Sequence, residues 1–108
     1  MNQEDLYSIP VITLCGSIKF IKQFRETESA LTRKGFAVLS PAFFEHTKGE
    51  PLSKEEVIQL GTIHLRKIEL ADEIFVIDVD GYIGESTQRE IEYATKHNKK
   101  VHYYSEEQ

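Results

Sequence analysis

The sequence predicts one α/β domain built on an open, parallel, four-stranded sheet with helices on both faces. Two observations predict it. Apolar and β-branched runs alternate with amphipathic runs of helical period, which is the pattern of βαβ units. The best of the short runs are apolar throughout rather than at every second position, as in strands covered on both sides.

The first strand is Val11-Ile12-Thr13-Leu14-Cys15, preceded by Pro10 and ended by Gly16. Ser17 is a candidate helix cap. Ile18, Ile21, Phe24, Ala30 and Leu31 then recur at roughly helical spacing as far as Arg33, and Gly35 supplies a stop. Phe36-Ala37-Val38-Leu39 is the second strand, closed by Pro41 and followed by a loop over 42–52. Ser53 with Glu56 three residues later forms a capping-box pattern. The helix it opens reaches Leu70 and carries Val57, Leu60, Ile63, Ile68 and Leu70. Glu73-Ile74-Phe75-Val76-Ile77 is the third strand, 78–85 a glycine-punctuated loop, 86–98 the last helix and 101–104 the last strand. Right-handed crossovers lead to the strand order 2-1-3-4, a Rossmann- or flavodoxin-like sheet. Ligands in such sheets bind beyond the carboxyl ends of the strands at the switch point, here between strands 1 and 3. Gly16-Ser17-Ile18 and the 78–86 loop should therefore flank one crevice.

The chain of 108 residues is one domain in length, residues 1–8 and 106–108 being the expected flexible ends. A core this small gains from a partner subunit. Thirteen basic against eighteen acidic side chains, a formal net charge of −5, argue against binding to a nucleic-acid polymer. A lone cysteine, Cys15, excludes an internal disulfide and fits a reducing, cytoplasmic setting. The first ten residues carry no signal-peptide pattern, and no apolar run approaches the roughly 20 residues of a membrane span.

Three groups of residues could carry chemistry. Gly16, Ser17 and Ile18 join a strand to a helix start, where backbone N–H groups and the helix dipole favour an anion. The plain alternative is a capped helix behind a tight turn. In the second group, Asp78 and Asp80 end strand 3, Gly84 frees the loop, Ser86 starts the last helix and Glu90 lies one turn inside it. A carboxylate so placed projects back towards the crevice, and paired carboxylates serve as nucleophile and acid/base in glycoside chemistry. Against this stand simple capping for Ser86 and a solvated, dipole-favoured acid for Glu90. The third group is His64 on the second long helix, with His46 in the loop after strand 2. His64 could meet a phosphate or act as an acid, or be a half-buried surface residue. Cys15 reads as core, with no base nearby in sequence. One cysteine and four scattered histidines match no zinc spacing, and neither GxxxxGK[ST] nor GxGxxG is present, so no metal and no cofactor is expected.

Thr13-Leu14-Cys15-Gly16-Ser17-Ile18 resembles the opening motif of the nucleoside 2-deoxyribosyltransferases and the related 2-deoxynucleoside 5-phosphate N-hydrolases. The run 71–77 resembles their third strand, and Glu90-Ile91-Glu92-Tyr93-Ala94 is similar to their helix bearing a Glu followed four residues later by Ala. The likeness spans nearly the whole chain. It implies that Glu90 attacks C1′ of the deoxyribose and expels the base. It also implies that Gly16, Ser17 and Ile18 line the sugar and base pocket, that Ser86 meets a 5′-phosphate, and that Asp78 or Asp80 helps the leaving base. The departures are Thr13 in place of an aromatic residue, His64 in place of an acid, a different loop spacing before Glu90, and four strands instead of five. The runs 64–68 and 81–87 look like those of a separate bacterial branch of the same fold.

Two functions follow as expectations. One is an N-glycosidic-bond hydrolase or deoxyribosyltransferase acting on a nucleoside or nucleotide. The other is a non-catalytic nucleotide- or phosphosugar-binding module. A homo-oligomer is the expected assembly for both, and an interaction domain with a vestigial pocket is a third possibility.

Overall fold

A computed structural model describes residues 3–43 and 51–107. Along the chain run α1 (Gln3–Tyr7), β1 (Val11–Gly16), α2 (Ile21–Arg33), β2 (Ala37–Leu39), α3 (Lys54–Leu70), β3 (Glu73–Ile77), α4 (Glu85–Lys96) and β4 (Lys100–Tyr103). The sheet is all parallel in the order β2-β1-β3-β4, as the crossover rule requires. Among the described residues no helix is long and apolar enough to cross a membrane.

The alternation of side chains along β1 and β3 divides the core in two. Ile12, Leu14, Phe75 and Ile77 face Phe24 and Leu31 of α2. Cys15, Ile74 and Val76 face Ile68 of α3 and Ala94 of α4. The two central strands are thus covered on both sides, which is why their sequences are unbroken apolar runs.

Several boundaries differ from those read in the sequence. Residues 3–7, within the end expected to be flexible, form α1. β2 begins at Ala37 and β4 spans Lys100–Tyr103. Gly84, not Ser86, is the N-cap of α4. Ser17 caps a short 3-10 turn, Ile18–Phe20, through its hydroxyl, which accepts from Lys19 N at 3.4 Å. The buried stripe of α2 is Phe24, Thr27 and Leu31, while Ile18 and Ile21 are exposed. The capping box of α3 forms as expected: Ser53 Oγ accepts from Glu56 N, and Glu56 Oε1 accepts from Ser53 N.

The buried residues of α3 are His64 and Ile68, while Val57, Ile63 and Leu70 are exposed. Side-chain bonds fix that rotation. Thr13 Oγ1, fully buried on β1, donates to Lys67 O at 2.8 Å, and Lys67 Nζ donates to Ser40 O beyond β2 at 2.7 Å. Lys99 Nζ donates to Glu69 O and Ala71 O, satisfying carbonyls at the end of the helix.

Candidate functional site

A cavity of about 320 Å³ opens beyond the carboxyl ends of the strands. Its lining comes from five places: Gly16 at the end of β1 with Ile18 beyond it, Pro41 and Ala42 after β2, Leu52 ahead of α3, one side of α3 including His64 and Lys67, and Ser86 and Glu90 of α4.

Gly16 has φ +146°, and a Cβ there would meet Ile77 O at 3.0 Å and Phe24 Cζ at 3.3 Å. A glycine is needed so that the end of β1 can lie against β3 while the chain turns towards the cavity. Glu90 lies one turn along α4, on the side facing β1 and α3. Behind the cavity it meets two residues that no sequence spacing links to it. His64 Nε2 lies 3.8 Å from Glu90 Oε1 and 3.4 Å from Cys15 Sγ. Ligand-capable atoms of Cys15, His64 and Glu90 all fall within 4.8 Å of one another. Each comes from a different element, β1, α3 and α4.

Burial dominates the electrostatics of this trio. It pushes the Glu90 carboxyl up to about 7, against the opposing pull of the Cys15 hydrogen bond and the Arg89 charge. It lowers His64 to about 4, with the Lys67 ammonium acting in the same direction. Burial, and then the neighbouring Glu90, raise the Cys15 thiol well above its ordinary value. Between about pH 4 and 7 the three groups are therefore thiol, neutral imidazole and uncharged acid. His64 Nδ1 is buried with no hydrogen-bond partner.

Of the residues singled out in the sequence, Gly16, Ile18, His64, Ser86 and Glu90 line this cavity. Ser17 and Gly84 are not part of its lining; one caps the 3-10 turn and the other caps α4 beside Tyr82. Asp78 and Asp80 do not line it either. Asp78 is buried and engaged structurally: its Oδ1 accepts from Ser105 N at 2.9 Å and its Oδ2 from Ser105 Oγ at 2.7 Å. Asp80 is exposed, at φ +54° in a short 3-10 turn. Both acids thus stand outside this cavity, and the part expected of them on a leaving base draws no support from its lining. His46 falls outside the described residues. Cys15 is core, as its apolar strand suggests, yet it also reaches His64 and Glu90. Sequence reading missed that contact because it depends on the packing of α3 and α4 onto one face of β1.

Comparison with known proteins returns no match: no protein-family model, no curated protein and no solved structure matches this chain.

Proposed function

We propose that the chain breaks or transfers the N-glycosidic bond of a nucleoside or nucleoside 5′-monophosphate, with Glu90 as the nucleophile. The observation that carries this reading is the convergence of Glu90, Ser86, Gly16 and Ile18 on one cavity of about 320 Å³, the lower end of the size range of small-molecule sites. In the reaction the Glu90 carboxylate bonds to C1′ and the C1′–N bond breaks. The bonding pair leaves with the base, which takes a proton from solvent. Water or a second base then attacks C1′ and frees the carboxylate. The N–H groups at the start of α4 and the Ser86 hydroxyl suit a 5′-phosphate, because a helix N-terminus offers free donors and positive dipole. Gly16 gives a sugar ring close access to backbone.

The test is chromatography for free base after incubation with deoxynucleosides and their 5′-monophosphates. The reading expects release by the wild type and loss of release in Glu90→Gln with the fold intact. Absence of release from the whole panel overturns it.

A second reading, a non-catalytic nucleotide- or phosphosugar-binding module, is favoured by one observation. Burial keeps Glu90 protonated up to about pH 7, so much of the time it is a hydrogen-bond donor rather than a nucleophile. Ligand-dependent thermal stabilisation without turnover would select it.

The same reading assigns the chain to the cytoplasm, where the buried free thiol of Cys15 persists. It also assigns a homo-oligomer formed through the outer face of α3. Val57 is 55% and Ile58 70% exposed there, and Leu52, Val57 and Ile63 continue into the cavity wall, so that a second copy would close the site. Sedimentation of the intact chain reads this directly: a monomer at all concentrations overturns it.

A further inference from the structure

We infer that Cys15, His64 and Glu90 form a three-ligand site for a divalent ion of the zinc class, with the fourth coordination position open to the cavity. The inference goes beyond the glycosidic-bond reading and does not depend on it.

The geometry is the first argument. A tetrahedral zinc ion sits ~2.3 Å from sulfur and ~2.0 Å from nitrogen and oxygen, so its ligand atoms stand about 3.3 to 3.6 Å apart. Here Sγ to Nε2 is 3.4 Å, Nε2 to Oε1 is 3.8 Å, and all three atoms lie within 4.8 Å of one another. The Sγ–Nε2 edge already fits an ion, the Nε2–Oε1 edge needs to shorten by about half an ångström, and the third edge lies within 4.8 Å.

The second argument is hydrogen bonding. Nε2 to Oε1 at 3.8 Å is too long for a direct hydrogen bond. His64 is only 7% exposed, and its Nδ1 has no partner. A buried imidazole is normally satisfied by its neighbours, and this one is poorly satisfied by the protein alone. An ion would engage Nε2, whose one partner within hydrogen-bond distance among the described residues is Cys15 Sγ at 3.4 Å; Nδ1, on the other side of the ring, it would leave without a partner.

Ligand chemistry sets the class of ion. Thiolate plus imidazole selects zinc and its cobalt surrogate over magnesium or calcium, which require oxygen. Three protein ligands with one open position is the arrangement of catalytic rather than structural zinc sites. His64 and Glu90 line the cavity while fully buried Cys15 lies behind them, so the open position faces the cavity. On binding, the Cys15 S–H bond breaks and its electron pair becomes the sulfur–metal bond; that proton, and the Glu90 carboxyl proton where it is still held, leave to solvent. Because the ion engages the Glu90 carboxylate, a metal-loaded chain cannot use that carboxylate on a sugar. If the glycosidic-bond reading holds, zinc is therefore an inhibitor of base release.

The test is titration of chelator-treated full-length chain with Co²⁺ alone, followed by absorbance. The expected result is one ion per chain, with a sulfur-to-cobalt charge-transfer band in the near ultraviolet and the strong visible bands of a tetrahedral ion. Cys15→Ser should remove the charge-transfer band. His64→Gln and Glu90→Gln should each weaken binding roughly tenfold or more, since even indirect partners of a metal ligand cost that much. The circular dichroism of each variant, recorded before titration, separates loss of a ligand from loss of fold. Should Cys15→Ser fail to fold, blocking of the wild-type thiol towards alkylation by Co²⁺ in mild denaturant reads the same contact. Cobalt that binds without a thiolate band, or binds equally well to folded Cys15→Ser, overturns the inference. The spectrum requires no substrate and the base-release assay runs in chelator, so failure of either proposal leaves the other standing.

Discussion

His64 Nε2 and Glu90 Oε1 stand 3.8 Å apart, one on α3 and the other on α4, and burial drives their ionisation in opposite directions. It favours the neutral form of each, so the histidine falls to about 4 and the glutamate rises to about 7.

Opposed slopes of stability against pH follow, and the signs can be worked out for chelator-treated protein. For Glu90 the folded value of about 7 lies above the ordinary 4.5. Between these pH values only the folded state holds the proton, so its contribution falls as pH rises through that window. For His64 the folded value of about 4 lies below the ordinary 6.5. There only the unfolded state holds the proton, so stability falls as pH drops from 6.5 towards 4. Each slope is at most about 1.4 kcal/mol per pH unit, and the two oppose each other between pH 4.5 and 6.5. Urea midpoints across that range should show Glu90→Gln gaining stability with rising pH relative to wild type. His64→Gln should lose it. Parallel profiles for all three proteins would contradict the burial of the pair.

Gly16→Ala should destabilise the fold by about 1 to 3 kcal/mol, because the new methyl meets Ile77 O at 3.0 Å on a backbone with φ +146°. Thermal unfolding checks it. Gly35→Ala is a useful control: its φ is +100°, yet nothing lies within 4 Å of the added carbon. It should carry the backbone strain without the clash and lose less.

Asp78→Ala should cost about 1 to 3 kcal/mol, since it leaves Ser105 N and Oγ without their acceptor at the end of β4. Were Asp78 acting on a leaving base, Asp78→Asn would slow base release at temperatures where the fold is intact. The geometry predicts a stability loss instead, read as a lowered melting temperature.

The parallel sheet and its order were legible because β1 and β3 are covered on both faces, and a doubly covered strand shows as an unbroken apolar run such as 11–15 or 73–77. Glu90 and Gly16 were legible for a related reason: each sits a fixed distance from a strand end or helix start, so local spacing points it at the crevice. The rotation of α3 was not. Its apolar residues Val57, Ile63 and Leu70 are exposed, so periodicity does not mark the buried face, and the helix is turned by Thr13 and Lys67 through bonds to backbone carbonyls. That rotation is what brings His64 onto Cys15 across 49 residues of sequence. Asp78 was legible only as a strand-end acid, not through its partner. The end of a strand is the right place for a catalytic acid, but Ser105 lies close enough to occupy both its oxygens.

The account turns on Glu90 acting as the group that takes the sugar, and the most direct measurement is the mass of the intact chain after rapid acid quench during turnover of a deoxynucleoside 5′-monophosphate in chelator. The account predicts a species heavier by one deoxyribosyl phosphate, mapped to the peptide containing Glu90 and absent from Glu90→Gln, accumulating more readily as pH rises through about 7. Free base released with equal rate by Glu90→Gln, or an adduct mapped to another side chain, would contradict it.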